Sequence, residues 1–401
     1  MEQLYVAYPA NSGTDPLIGQ DNLLAKGIID DASYSRVAVI DLGSSSFHLL
    51  VAEVGLSNER VPTIIPVVRH RSMLHLGKVV AQEGHIPGDI VNHAMEVVRR
   101  HRATAHKERA TATIVLATAA IRDAANATDI LRRLNKAAGT NVHLLEGHEE
   151  ARLIFIGQWA GLMRLFADPA PISSVSAFPE DMRSLPLKQR FGEWTSRDLY
   201  PSILSMDLGG GSLELAFGKG DVLSWTSSVN IGVARLAGQF AGSISPNDPL
   251  SPYNRRKIYQ QVAMSLESTK DRFQSYHPQL VAMSGGTARA LVRLANVIYK
   301  ESRGGVKHRI SANPVTFSGE IDSYLVDIET IEKLAFMLSS LDLPARLSLA
   351  GVQARRAPLL PIGACIMHAV MKELSLDSLL ISEWGLREGA IVEFLHRSRT
   401  K

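Results

Sequence analysis

The sequence predicts an α/β protein of two similar domains, each with a mixed sheet, around a central cleft. Three observations predict it. A segment recurs: VAVIDLGSSSFHLLVA at residues 37–52 and ILSMDLGGGSLELAFG at 203–218, with Asp41, Leu42, Gly43 and Ser46 falling on Asp207, Leu208, Gly209 and Ser212. After each copy, strand-like runs alternate with amphipathic helical ones. The chain has 401 residues, more than one hydrophobic core accommodates.

In each copy an apolar run ends in Asp, a Gly/Ser turn comes next, and alternating apolar residues read as a second strand. Strands are expected at 36–41, 47–54, 62–69, 112–117 and 142–145. Helices are expected at 87–103, where Ile90, Ala94, Val97 and His101 share a face, at 124–138, and from Gly147 to about Met163. The second half restarts at 202 with its own hairpin. A short helix and Pro/Ser loop occupy 231–254, then come helices at 254–274, 286–299, 328–340, 355–374 and 386–396, and strands at 279–283 and 378–382. Residues 300–325 read as irregular. The domains are therefore an extension at 1–35, a first domain at 36–163, a Pro/Ser-rich insertion or linker at 164–200, and a second domain at 201–385. The last helix is expected to pack back on the first domain.

Composition narrows the function. Hydrophobic residues make up 45% and charged residues 21%, as in water-soluble globular proteins. No apolar run is long enough to span a bilayer, and the N-terminus lacks the basic start and apolar run of a secretory signal. The single cysteine, Cys365, lies in the apolar run PIGACIMHAVM and reads as a buried small hydrophobe. Together these point to a cytoplasmic protein without a membrane partner. Net charge is +3, but basic residues cluster at Arg99, Arg100, His101, Arg102, Lys107 and Arg109, and in the pairs Arg132–Arg133 and Arg355–Arg356. Each cluster alone reads as a solvated helix face; together they suit a polyanion. Zinc-finger spacing and RNA-recognition aromatics are absent, so nucleic acid is not the expected partner.

The chemistry concentrates in the turns. Glycines let backbone N–H groups converge on an anion and serine hydroxyls add donors, which makes Gly43, Ser44, Ser45 and Ser46, and Gly209, Gly210, Gly211 and Ser212, candidate phosphate ligands. A third strand–turn–helix, Ser284, Gly285 and Gly286 ahead of Thr287, repeats the logic at a helix N-terminus. Arg122, at the entrance to a helix, is either a phosphate-neutralising group or a surface Arg paired with Asp123 or Asp129. Glu149 and Glu150 open a helix, where acids complement the dipole, yet a phosphate site also needs a base for water. There is no Walker A sequence, since Lys78 is followed by Val79. There is no G-x-S-x-G elbow either, since Glu214 stands two residues after Ser212.

In order along the chain, IDLGSSSFHLLVA (40–52), ATAAIRDAANATDIL (117–131), EGHEEARLIFIG (146–157), MDLGGGSLEL (206–215), MSGGTARAL (283–291) and SEWGLREGAI (382–391) resemble the exopolyphosphatase/guanosine pentaphosphate phosphohydrolase family (Ppx/GppA). The resemblance implies two actin-like domains (ribonuclease H-like, of the ASKHA superfamily that includes hexokinase and heat-shock ATPases) and metal-dependent release of terminal phosphate from polyphosphate. By motif position Glu150 resembles the catalytic base and Arg122 the Arg that contacts substrate phosphate. Asp41, Asp207 and Glu214, with Glu150, resemble acids that hold Mg2+ or Mn2+; K+ is a further implied ion, and homodimers are common in the family. The sequence departs from the pattern at Ser45, where Asn is usual, and at Glu383-Trp384, where small residues are usual. The chain ends without the helical domains of longer members, and the 164–200 segment stands where most have a short connection. Exopolyphosphatase is the first expectation; guanosine pentaphosphate hydrolysis, non-catalytic binding of polyphosphate or alarmone, and sugar or acetate kinase activity are the alternatives.

Overall fold

The computed structural model describes residues 35–56, 62–167, 200–220, 222–273, 275–303, 312–316 and 322–399. The expected extension at 1–35 and insertion at 164–200 fall almost wholly outside them. Contacts divide the described residues into two compact units: one runs to Ala160 and resumes at Trp384, and the other runs from Gly161 to Glu383.

In the first unit β1 (Ser35–Leu42), β2 (Ser46–Leu56) and β3 (Pro62–Met73) form an antiparallel meander. Helices α1 (Leu76–Glu83) and α2 (Gly88–Lys107) lead to β4 (Ala112–Ala117). Then come α3 (Ala119–Arg122), α4 (Ala127–Ala138), β5 (Val142–Leu144) and α5 (Gly147–Ala167). The sheet order is β3-β2-β1-β4-β5, with β4 and β5 parallel to β1. β1 is apolar almost throughout because both its faces are covered. Ala38, Ile40 and Leu42 pack in one core with Val97 of α2 and Leu134 of α4, while Val37 and Val39 pack in another with Leu153 of α5 and Trp384.

The second unit repeats this plan: β6 (Ser202–Leu208), β7 (Leu213–Lys219) and β8 (Val222–Val229) form the meander. After it come helices α6 (Val233–Gln239) and α7 (Pro252–Phe273), strand β9 (Leu280–Ser284) and helix α8 (Gly286–Arg303). Next are β10 (Ala312–Thr316), β11 (Asp322–Asp327), α9 (Ile328–Ser340), α10 (Leu343–Ser348), α11 (Leu360–Glu373) and β12 (Ser378–Ile381). The sheet order is β10-β11-β12-β9-β6-β7-β8. Reading from the meander inward, β8-β7-β6-β9-β12 matches β3-β2-β1-β4-β5, so the duplication extends to the whole five-strand topology. The last helix, α12 (Leu386–Arg399), belongs to the first unit, where Glu393 is fully buried and pairs with Arg152 of α5 at 2.8 Å.

Three expectations need correcting. The stretch 300–325, expected to be irregular, contains β10 and most of β11, which pair antiparallel at the end of the sheet; Pro314 on the edge strand β10 needs no outward ladder bond. The expected helix at 355–374 begins at Leu360, and the turns α1, α3 and α10 were not foreseen. α11 is buried along its whole length from Leu360 to Met371, which explains its continuous apolar sequence and the full burial of Cys365. No helix among the described residues is long and apolar enough to cross a membrane.

Candidate active site

In the first unit the parallel strands β1, β4 and β5 end level with one another, since Leu42 pairs with Ala117 and Ala117 with Leu144. The segments leaving these three strands therefore gather at one sheet edge. The Gly43–Ser46 turn leaves β1, the stretch bearing Arg122 leaves β4, and the N-terminus of α5 lies just beyond β5. Ligands of parallel sheets sit at this carboxyl edge.

The backbone of the turn is aimed. Leu74 and His75 donate to the Ser45 carbonyl, and Gly77 donates to that of Ser44 at 2.8 Å. In a trans peptide the C=O and the next N–H point in opposite directions, so engaging the Ser44 carbonyl turns the Ser45 N–H away from this clamp. The second unit does the same with the chain after β8. Val233 donates to Gly209 O, Ala234 and Arg235 to Gly210 O, and Gly232 to Gly211 O. The Gly210 and Gly211 N–H groups therefore face the other way. The approach is so close that a Cβ at Gly232 would lie 2.2 Å from the Gly211 carbonyl carbon.

Arg122 and Glu150 are brought together. Arg122 Nη1 lies 3.7 Å from Glu150 Oε2 and donates to Leu145 O at 2.7 Å, and Nε lies 3.5 Å from Asp123. Asp129, the other partner considered, binds Arg132 and Arg133 instead. The two acids of α5 are distinguished as well. Glu149 Oε2 accepts from the Glu146 N–H at 2.9 Å and caps its own helix, whereas Glu150 is 7% exposed and turned to Arg122.

The register aligns side chains in rows across each meander, where paired residues share a face. In the first unit the row is Asp41, His48, Arg71; in the second it is Asp207, Glu214, Ser228. Arg71 Nε donates to Ser46 Oγ at 3.0 Å, and His48 Nε2 lies 2.9 Å from the same oxygen. In the second unit Ser228 Oγ donates to Glu214 Oε1 at 3.0 Å, and Ser284 Oγ donates to Asp207 Oδ2. Ser284 thus buttresses a carboxylate, and the turn it opens holds Gly285 at φ 105°, where a Cβ would meet Leu208 O at 2.8 Å. The Arg356 guanidinium lies against Gly286. Glu214 is 2% exposed.

The acids fit a hard divalent cation. Asp207 and Glu214 face each other across the β6–β7 hairpin and offer oxygen only. Among the described residues no three His, Cys, Asp or Glu side chains form a closed cluster. Two carboxylates with waters and substrate phosphate are the donor set Mg2+ commonly takes. The departure at Glu383-Trp384 has a structural explanation: Trp384 is core, and Glu383 lies 3.9 Å from Arg289.

The Ppx/GppA phosphatase family model matches residues 50–165 and 200–398. The chain belongs to the Ppx/GppA phosphatase family. Exopolyphosphatase 1 of Mycobacterium tuberculosis is 26% identical over 365 residues, covering 90% of this chain and 88% of its own. This Ppx/GppA member also shares its fold with a solved exopolyphosphatase of Cytophaga hutchinsonii, at TM-score 0.66 and 22% identity, covering 90% of this chain and 98% of the other. The Aquifex aeolicus member is similar at TM-score 0.63 and 20% identity, covering 91% and 99%.

Arg71, Ser228 and Arg235 were missed by sequence reading, and Arg356 was noted only as one of a basic pair. Arg71 was the most accessible, because counting outward from Asp41 through His48 along the hairpin register leads to β3.

Proposed function

We propose that this protein is an exopolyphosphatase that releases terminal orthophosphate from inorganic polyphosphate, with water as the attacking group. The observation that carries the reading is the largely buried pair of Arg122 and Glu150 at the sheet edge that also bears the Gly43–Ser46 turn. Exopolyphosphatase relatives covering nine-tenths of the chain support the substrate class.

Phosphoryl transfer asks the protein chiefly for positioning and charge stabilisation. Within the first unit the Ser45 amide, and within the second the Gly210 and Gly211 amides, are the donors for phosphoryl oxygens. Arg122 offsets negative charge on the terminal group. Glu150 orients a water and accepts its proton as the water oxygen bonds to phosphorus and the bridging oxygen leaves with the electron pair. In the second unit Asp207 and Glu214 would hold a divalent ion, which would neutralise charge on phosphoryl oxygens; Asp41 is the corresponding acid of the first unit.

The test is phosphate release from purified protein with and without Glu150→Gln. The variant should lose about 10²-fold or more in kcat while polyphosphate binding survives. Undiminished turnover would remove Glu150 from the role of base, and the absence of release by the unaltered protein would favour a non-catalytic binder. Comparing kcat/KM for polyphosphate and guanosine pentaphosphate separates the two hydrolase activities, since both substrates end in the same phosphoanhydride. Phosphate transfer to a sugar or acetate would instead indicate a kinase.

A further inference from the structure

We propose that Arg71 and His48 are positioning residues that aim the Ser46 hydroxyl at the anion taken by the first turn. The inference rests on the phosphate-binding reading of that turn. Ser46 is 3% exposed, and its hydroxyl has one hydrogen to donate and two lone pairs to accept with. Arg71 Nε, which can only donate, occupies one lone pair at 3.0 Å. His48 Nε2 lies 2.9 Å away, and in the tautomer that the proposal assigns, with the hydrogen on Nε2, it donates to the other lone pair. Neither neighbour then needs the serine hydrogen, and it is left for a third group. The bond from a guanidinium is charge-assisted, and by drawing electron density from Oγ it makes that O–H a better donor.

The fold favours this arrangement in one unit only. His48 and Arg71 are register partners on β2 and β3, so both reach the start of β2 from the same face. The chain leaving β3 also holds the turn from behind, through the amides of Leu74, His75 and Gly77. One strand and its continuation thus orient both the backbone and the hydroxyl of the turn. In the second unit the equivalent row carries Glu214 and Ser228, which bond each other. No cation stands in that row, so Ser212 receives no matching pair of donors from it.

The experiment is a double-mutant cycle on the full chain. Arg71→Met and Ser46→Ala should each raise KM for polyphosphate about tenfold, the worth of one hydrogen bond to a charged group, with much smaller effects on kcat. The double variant should lose no more than either single one, because Arg71 acts through Ser46. Additive losses would overturn the proposal, as would an unchanged KM in Arg71→Met. Should Arg71→Met fold poorly by thermal melting, His48→Leu and His48→Gln replace it. Gln offers an N–H near the lost Nε2 and should recover most of the affinity that Leu loses; equal loss in both would count against the proposal. Calorimetric binding of tripolyphosphate separates this idea from the hydrolase reading. Even if no substrate is turned over, Arg71→Met must bind tripolyphosphate more weakly than the unaltered chain, and equal binding refutes the positioning role.

Discussion

Glu149 and Glu150 are adjacent and identical in type, yet α5 assigns them different work. Successive helix positions point about 100° apart, so only one of the two can face Arg122. Glu149 turns back to the Glu146 N–H as a cap, and its loss should cost about 1 kcal/mol of stability. Glu149→Ala should therefore lower the midpoint of urea unfolding while leaving kcat within about twofold. A large fall in kcat at unchanged stability would mean that the two roles are exchanged. The motif E-E-A-R was legible in the sequence, and so was the need for one carboxylate near Arg122. The family motif pointed to Glu150, but the residues alone did not choose between the two acids, because that depends on the strand order that brings Leu145 beside Ala117. The same reason hid Arg71, whose relevance comes from its place opposite His48 rather than from its neighbours in the chain.

The hairpins, the long helices and their order were readable because period-2 and period-3.6 patterns are local properties. Where tertiary contact decides, sequence reading failed: β10 and β11 lack alternation and form by pairing at the sheet edge, and α1 is short. Two elements make distinct predictions. The amide clamp on the second turn requires Gly232, since any Cβ there collides with the Gly210 and Gly211 backbone. Gly232→Ala must push that backbone aside, and polyphosphate KM should rise at least about tenfold while the helical circular-dichroism signal persists. An unaltered KM would show that the turn does not touch substrate. In α2, His101 is buried with no hydrogen-bond partner for Nδ1, and burial, then His70 and Arg100, lower its pKa from 6.5 to about 4. The unfolded chain therefore binds a proton that the folded chain refuses between those values. Stability should fall as pH drops through that window, by up to about 1.4 kcal/mol per pH unit from this residue. His101→Leu should flatten that part of the urea-unfolding profile; an unchanged slope would assign it to other groups.

The two units share a five-strand plan and differ in the charge placed across it. The row in the first unit ends in His48 and Arg71, and the Arg122–Glu150 pair stands at the same sheet edge. The row in the second is Asp207, Glu214 and Ser228, with Ser284 bonded to Asp207, so its end is rich in oxygen acceptors and poor in cations. Electrostatically the first arrangement suits phosphoryl oxygens and the second a divalent ion. If labour is divided this way, substitutions should separate two apparent constants. Glu214→Gln removes one carboxylate and should raise the Mg2+ concentration for half-maximal phosphate release at least about tenfold, with much of the activity restored at high Mg2+. Arg122→Gln should lower activity without moving the Mg2+ midpoint, and excess Mg2+ should not rescue it. Treating the unaltered protein with a chelator should abolish release, and either Mg2+ or Mn2+ should restore it. A Glu214→Gln variant whose Mg2+ curve overlays that of the unaltered protein would place the ion elsewhere and leave the buried Glu214–Ser228 bond a purely structural role.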